Sequence, residues 1–253
     1  MIYDIQKSNM WKRISAYIFD TILIVILAVG VACLMSGILG YNKHTETREG
    51  IRNEFELKYG VDFDISQTDY ENMTEDERAY FDDAYKAFVT DPEVNRVDVL
   101  VINLSLIILV FSILAPYLIF QFLIPLKFKN GQTLGKKIFG IAVMRVDGVR
   151  ISPLQLFIRS ILGKYTLETM LPILLVLMFF FGVMPFACVT GIALLLLIQI
   201  IFTIASRLRT PIHDMIAGTA TVDLASQLIF DSAEERVEYQ KRLHAEAAEK
   251  ANY

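Results

Sequence analysis

RISAYIFDTILIVILAVGVACLM, residues 13–35, decides what kind of protein this is. It exceeds the roughly 20 residues that carry a helix across a hydrocarbon core, and beyond Arg13 its only charge is Asp20. Two further stretches share its character. VLVINLSLIILVFSILAPYLIFQFLI (99–124) holds no charged residue, and 165–206 is a run of 42 residues with Glu168 as its one charge. At 1.5 Å per residue that run would extend about 60 Å, roughly twice a hydrocarbon core, so it reads as a hairpin broken near Gly182 to Pro185. The expectation is an all-α integral membrane protein with four transmembrane helices. The first 13 residues lack a basic region, short apolar core and small-residue cleavage site, so the first span is expected to be retained.

Charge then sets the topology. The 253 residues carry a formal net charge of -4, but 42–98 holds 16 Asp/Glu against 7 Lys/Arg while 127–164 holds 8 Lys/Arg against the single Asp147. Basic flanks at Lys7, Lys12 and Arg13, at 127–164, and at Arg207 and Arg209 all fall on one side of a four-span chain. The positive-inside rule makes that side cytoplasmic. The organisation expected is a flank and first span (1–41), an extracytoplasmic acidic helical insert (42–98), three further spans with a basic cytoplasmic loop (99–223) and a cytoplasmic helical tail (224–253). A bacterial inner membrane is the expected location.

Within the insert, Thr74 with Glu77 three residues on reads as a capping box, and Tyr80, Phe81, Ala84, Tyr85 and Phe88 form an aromatic stripe. Asp62, Asp64 and Asp69 lack the Gly and terminal Glu of a calcium loop. In the basic loop, Ser152-Pro153 is a strong helix start, and the helix that follows is expected to lie along the cytoplasmic interface. Lys136, Lys137 and Arg159 are then expected to face anionic lipid headgroups. GQTLGKK (131–137) looks like a phosphate loop but has the wrong spacing and context. Two cysteines and three scattered histidines make neither a disulfide framework nor a metal site. No motif of catalytic spacing stands out, so neither enzyme activity nor a cofactor is expected, nor a nucleic-acid partner.

The chemistry concentrates on Asp20. An ionised carboxylate at the centre of a span costs about 2.5–3.5 kcal/mol on insertion scales, so it must face the bundle interior and find a partner or a proton. Arg13 lies two helical turns away, beyond the usual i,i+4 reach. The segment SRLRTPIHDMIAGTATVD (206–223) supplies Arg207, Arg209, His213 and Asp214 as alternatives. Asn103 and Gln121, with Thr190 and Gln199, could extend a polar track or simply join helices. A sealed Asp–Arg pair pinning two helices is the competing reading, and a lipid or small-molecule headgroup site is a third.

These residues together resemble the RDD family of small prokaryotic membrane proteins, named for one Arg and two Asp. Arg13 matches the Arg, Asp20 the first Asp and Asp214 the second. Gly131, Thr133, Gly135 and Lys136, the Asp147-Gly148 turn and Arg159 match further recurring features. The resemblance covers about 1–38 and 99–223 and leaves the insert outside. It implies membrane placement, and some members are proposed as transporters or sodium/proton antiporters. The function expected is therefore a small transporter, cation/proton exchange through Asp20, Arg13 and Asp214 being its form, with a monovalent cation and a homo-oligomer implied. The alternative is a non-transporting assembly protein in which the Arg/Asp cluster is structural.

Overall fold

The computed structural model describes residues 5–128, 130–205 and 210–251. In chain order these form α1 (Met10–Ile38), α2 (Tyr41–Tyr59), α3 (Gln67–Asn72), α4 (Glu75–Thr90) and the long helical run α5 (Pro92–Phe128). There follow α6 (Leu134–Ile138), β1 (Ile141–Arg145), the helical run α7 (Pro153–Phe180), α8 (Pro185–Ala205), α9 (Ile212–Ile216), β2 (Thr219–Asp223) and α10 (Ala233–Ala251).

Four of these, α1, α5, α7 and α8, are long and apolar enough to span a membrane. They bury little of themselves: 6 % of the most apolar window of α8 is enclosed by protein, and side chains such as Ile26, Leu34, Leu196 and Ile204 stand exposed. So much contiguous apolar surface is stable only against lipid, and the fold is that of a four-span membrane protein. The hairpin expected near Gly182 turns at residues 181–184.

Two compact units emerge, one from residues up to 28 and from 113 onward, the other from Val29–Ser112. The second contains α2, α3 and α4. The Thr74–Glu77 capping box opens α4, and Phe81, Ala84 and Phe88 are its buried face. Phe63 closes on that face, 5.2 Å from the Phe88 ring and 5.6 Å from Tyr85. Arg52 on α2 pairs with Glu56 and, at 2.5 Å, with Asp64, so a carboxylate of the irregular 61–66 connection is spent on a guanidinium.

In the first unit the all-α frame carries a two-stranded antiparallel ribbon, β1 with β2, in register from Ile141↔Asp223 to Arg145↔Thr219. Ile141, Ala142, Val143 and Met144 are all fully buried, as is Val222. The ribbon ties three distant pieces of sequence together. Lys7 bridges to Val222, Lys12 pairs with Asp223 at 2.6 Å, and Arg13 donates to the Thr221 carbonyl at 2.5 Å. The tail joins the same assembly through Arg236 to the Asp147 carbonyl and Arg150 to Asp231.

The interfacial helix expected from Ser152 is not a separate element. It opens with the capping box Ser152–Gln155 and runs without a break into the third span. From Ile158 to Met170 the hydrogen bonding widens from i→i+4 to i→i+5. A second wide stretch, Tyr117–Leu123, follows Pro116 in α5, where the missing proline donor loosens the ladder.

Candidate functional site

α1 buries Ala16, Asp20 and Ile24, a stripe at i+4 spacing that turns the carboxylate away from lipid. Asp20 is 3 % exposed. Among the described residues its hydrogen bonds come neither from Arg13 nor from His213, but from a segment that the sequence did not offer as its partner. Oδ2 accepts from the Thr133 hydroxyl at 2.5 Å, and Oδ1 accepts from the Gly135 amide at 2.8 Å. The segment set aside as a failed phosphate loop is thus what receives Asp20. Thr133 caps α6 through the Lys136 amide, and Gly135 lets the turn lie flat on α1. A Cβ at Gly135 would meet the Ala16 carbonyl and lie 3.0 Å from Asp20 Oδ1. Gly135→Ala should therefore cost at least about 1–3 kcal/mol of stability, the usual range for overpacking, read as a lower melting temperature in detergent. An unchanged melting curve would mean that α6 does not dock on α1 in this way.

The second carboxylate, Asp214, starts from α9. Arg159 Nε donates to its Oδ1 at 2.5 Å, the Thr219 hydroxyl donates to the same oxygen at 2.8 Å, and the Thr221 hydroxyl donates to Oδ2 at 3.1 Å. Arg159 is 2 % exposed and Asp214 1 %. Burial alone would raise the Asp214 carboxyl, but the Arg159 guanidinium beside it outweighs that and holds it well below the usual carboxylate range.

His213 joins the chain of contacts on the other side. Its Nδ1 lies 2.8 Å from Glu168 Oε2 and its Nε2 3.3 Å from Arg159 Nη2. A carboxylate only accepts and a guanidinium only donates, which assigns the proton to Nδ1 and leaves Nε2 as acceptor. Burial, reinforced by the nearby Arg159 and Lys164 charges, pushes the imidazole down to about 4 against the pull of Asp214 and Glu168, so it is neutral at pH 7. Gln199 also donates to Glu168 and accepts from the Ile212 amide, fixing α8 to the start of α9. α9 packs so closely on α7 that a Cβ at Gly163 would fall 2.5 Å from His213 Cβ.

The wide turn in α7 explains why Arg159, Lys164 and Glu168 serve one cluster. Five residues along an ordinary α-helix turn the direction by about 140°, whereas an i→i+5 helix returns them to one side. Lys164, buried, donates to Gln121 on α5 at 2.8 Å. Between these groups lies a cavity of about 140 Å³. Arg13, Lys136, Arg159 and Lys164 line it with Asp20 and Asp214. Four cations face two carboxylates there, a surplus of two positive charges when both lysines are protonated. Lys136 is 8 % exposed, and its Nζ makes no hydrogen bond among the described residues. Burial first, then Arg159 and Lys164, lower its ammonium well below the ordinary lysine range.

Several expectations need correcting. Lys136 and Arg159 do not lie on an open interfacial face: both are buried, and only Lys137 of the three is exposed, its ammonium 4.0 Å from the Phe128 ring centre. Asn103 belongs to the other unit and is exposed on α5, so it is not among the groups gathered at Asp20. Thr190 turns back onto the Phe186 carbonyl. Gln121, His213 and Asp214 do join the cluster, while Arg207 and Arg209 lie outside the described residues. Thr133, Lys164 and Glu168 are the members whose part the sequence did not assign.

Four lipid-facing spans with a buried charge cluster at one end define a multi-pass membrane protein with an internal polar site. The RDD family model matches residues 7–218, and the chain belongs to that family. No curated protein and no solved structure matches it.

Proposed function

We propose that this protein is a small membrane transporter that exchanges a monovalent cation for a proton at the Asp20 cavity. The observation that carries this is the buried Lys136 ammonium, without a hydrogen-bond partner among the described residues and facing the same cavity as Asp20. While that ammonium is charged, the cavity's positive surplus repels a cation. Once it gives up its proton, a cation beside Asp20 restores the earlier charge, so departure of one and entry of the other are coupled electrostatically. Each Asp20 oxygen already accepts one hydrogen bond and keeps a lone pair for a further ligand. Arg159 and Asp214 neutralise each other and supply the fixed frame. The basic flanks favour cytoplasmic termini in a bacterial inner membrane, and four spans favour a homo-oligomer.

The test is reconstitution in liposomes and measurement of proton movement driven by a sodium or potassium gradient. Wild type should exceed empty vesicles, and Asp20→Asn should fall to their level. Equal flux in wild type and Asp20→Asn would remove the exchange reading. A second reading, a membrane assembly protein with a structural cluster, is favoured by the sealed Arg159–Asp214 pair. It expects Asp20→Asn to lower stability in a protein that never moved protons.

A further inference from the structure

The Lys136 ammonium has three donors to place and, among the described residues, no acceptor. A buried ammonium is ordinarily paired, because leaving it unpaired costs its full desolvation. Lys136 bonds to neither carboxylate of the cavity, which accept from other donors, Asp214 from Arg159, Thr219 and Thr221, and Asp20 from Thr133 and Gly135. Arg13, Lys136 and Lys164 reach the same space from three elements, α1, α6 and α7. Donors converging from three directions suit an acceptor with oxygens on all sides, and a tetrahedral oxyanion presents them where a planar carboxylate does not. A space of about 140 Å³ is several times the roughly 30 Å³ share of one water, enough for a phosphoryl group.

We propose that this cavity is a binding site for a phosphoryl oxyanion, held by Lys136 with Arg13 and Lys164. Such an anion could arrive free or as the headgroup of a membrane amphiphile. The second source has a route. An apolar groove of about 550 Å³, walled by Ile14, Leu195 and Leu196, shares Arg13, Tyr17, Pro211 and His213 with the cavity. Its walls belong to membrane-spanning helices, so an acyl chain can occupy it while the head meets the cations. The anion fits the state in which Lys136 is protonated, and it opposes entry of a cation. The inference rests on the reading that this cavity is the working site, and goes beyond it by giving the site an anionic ligand that competes with exchange.

The experiment uses the full chain. Binding of radiolabelled inorganic phosphate is measured in neutral detergent by equilibrium dialysis, and retention of phosphatidic acid by native mass spectrometry from phosphatidylcholine nanodiscs. Saturable phosphate binding identifies a free-anion site, and selective retention of phosphatidic acid identifies a headgroup site; either supports the proposal. Lys136→Met should weaken whichever probe binds by about tenfold or more, while Lys137→Met, on the exposed side of the same turn, should not. Should Lys136→Met fail to fold, wild type alone decides: binding must strengthen as pH falls and Lys136 takes up its proton against Arg13, Arg159 and Lys164. Failure of wild type to bind either probe, or equal binding by Lys136→Met, overturns the proposal. Because binding is read without flux, its loss with exchange intact removes only the anion, and exchange absent with binding intact removes only the transporter reading.

Discussion

Asp214→Ala is expected to destabilise the protein by about 3–5 kcal/mol, the range for breaking a buried ion pair from one side. The reason is the state in which it leaves Arg159. That guanidinium is 2 % exposed, and its remaining contact named above is the imidazole of His213, itself neutral at pH 7. The Thr219 and Thr221 hydroxyls lose their acceptor at the same time. The measurement is a melting curve of purified protein in detergent, backed by the yield of monodisperse material. Arg159→Met combined with Asp214→Leu should recover most of the loss, since replacing both ends of a buried pair by apolar groups is often neutral. A single Asp214→Ala variant as stable as wild type would mean that water reaches Arg159, and the cluster would not be sealed.

This asymmetry also bears on function. A carboxylate whose every oxygen is bonded to a fixed donor and a buried guanidinium is poorly suited to hold a mobile ion. Asp20 is different, because its two donors are a hydroxyl and an amide, neither of them charged. Under the proposed exchange the two aspartates that look equivalent in sequence would therefore divide the work, Asp214 holding the frame and Asp20 facing the charge that varies.

Much of the architecture was legible in the sequence because its causes are local. Span length, freedom from charge and the Gly182–Pro185 break announce the four helices, and Thr74–Glu77 and Ser152–Pro153 announce helix starts that the structure contains. The site was legible only in part. Asp20 stood out by its cost in a span, but its partner lies 113 residues away, and nothing local to α1 points to Thr133. Gly135 was the available signal, since a glycine two residues after a capping threonine permits close backbone approach. Arg159 was misplaced for a different reason. A 3.6-residue period turns it outward, toward the headgroups, whereas the i→i+5 turn through 158–170 carries it inside with Lys164. The ribbon was missed because IAVMR and TATVD are short and each is silent without the other.

The second large effect concerns Lys136 and tests the central claim that its proton and a cation exclude one another from the Asp20 cavity. Phosphate-free protein in weakly buffered detergent solution is mixed with sodium or potassium chloride over a series of pH values, with choline chloride as control, and released protons are counted by an indicator dye. Wild type should release up to about one proton per chain on adding the small cation, the linkage required when a cation binds only the deprotonated site, and Lys136→Met should release none. No release from wild type at any pH, or the same release from Lys136→Met, would contradict the account.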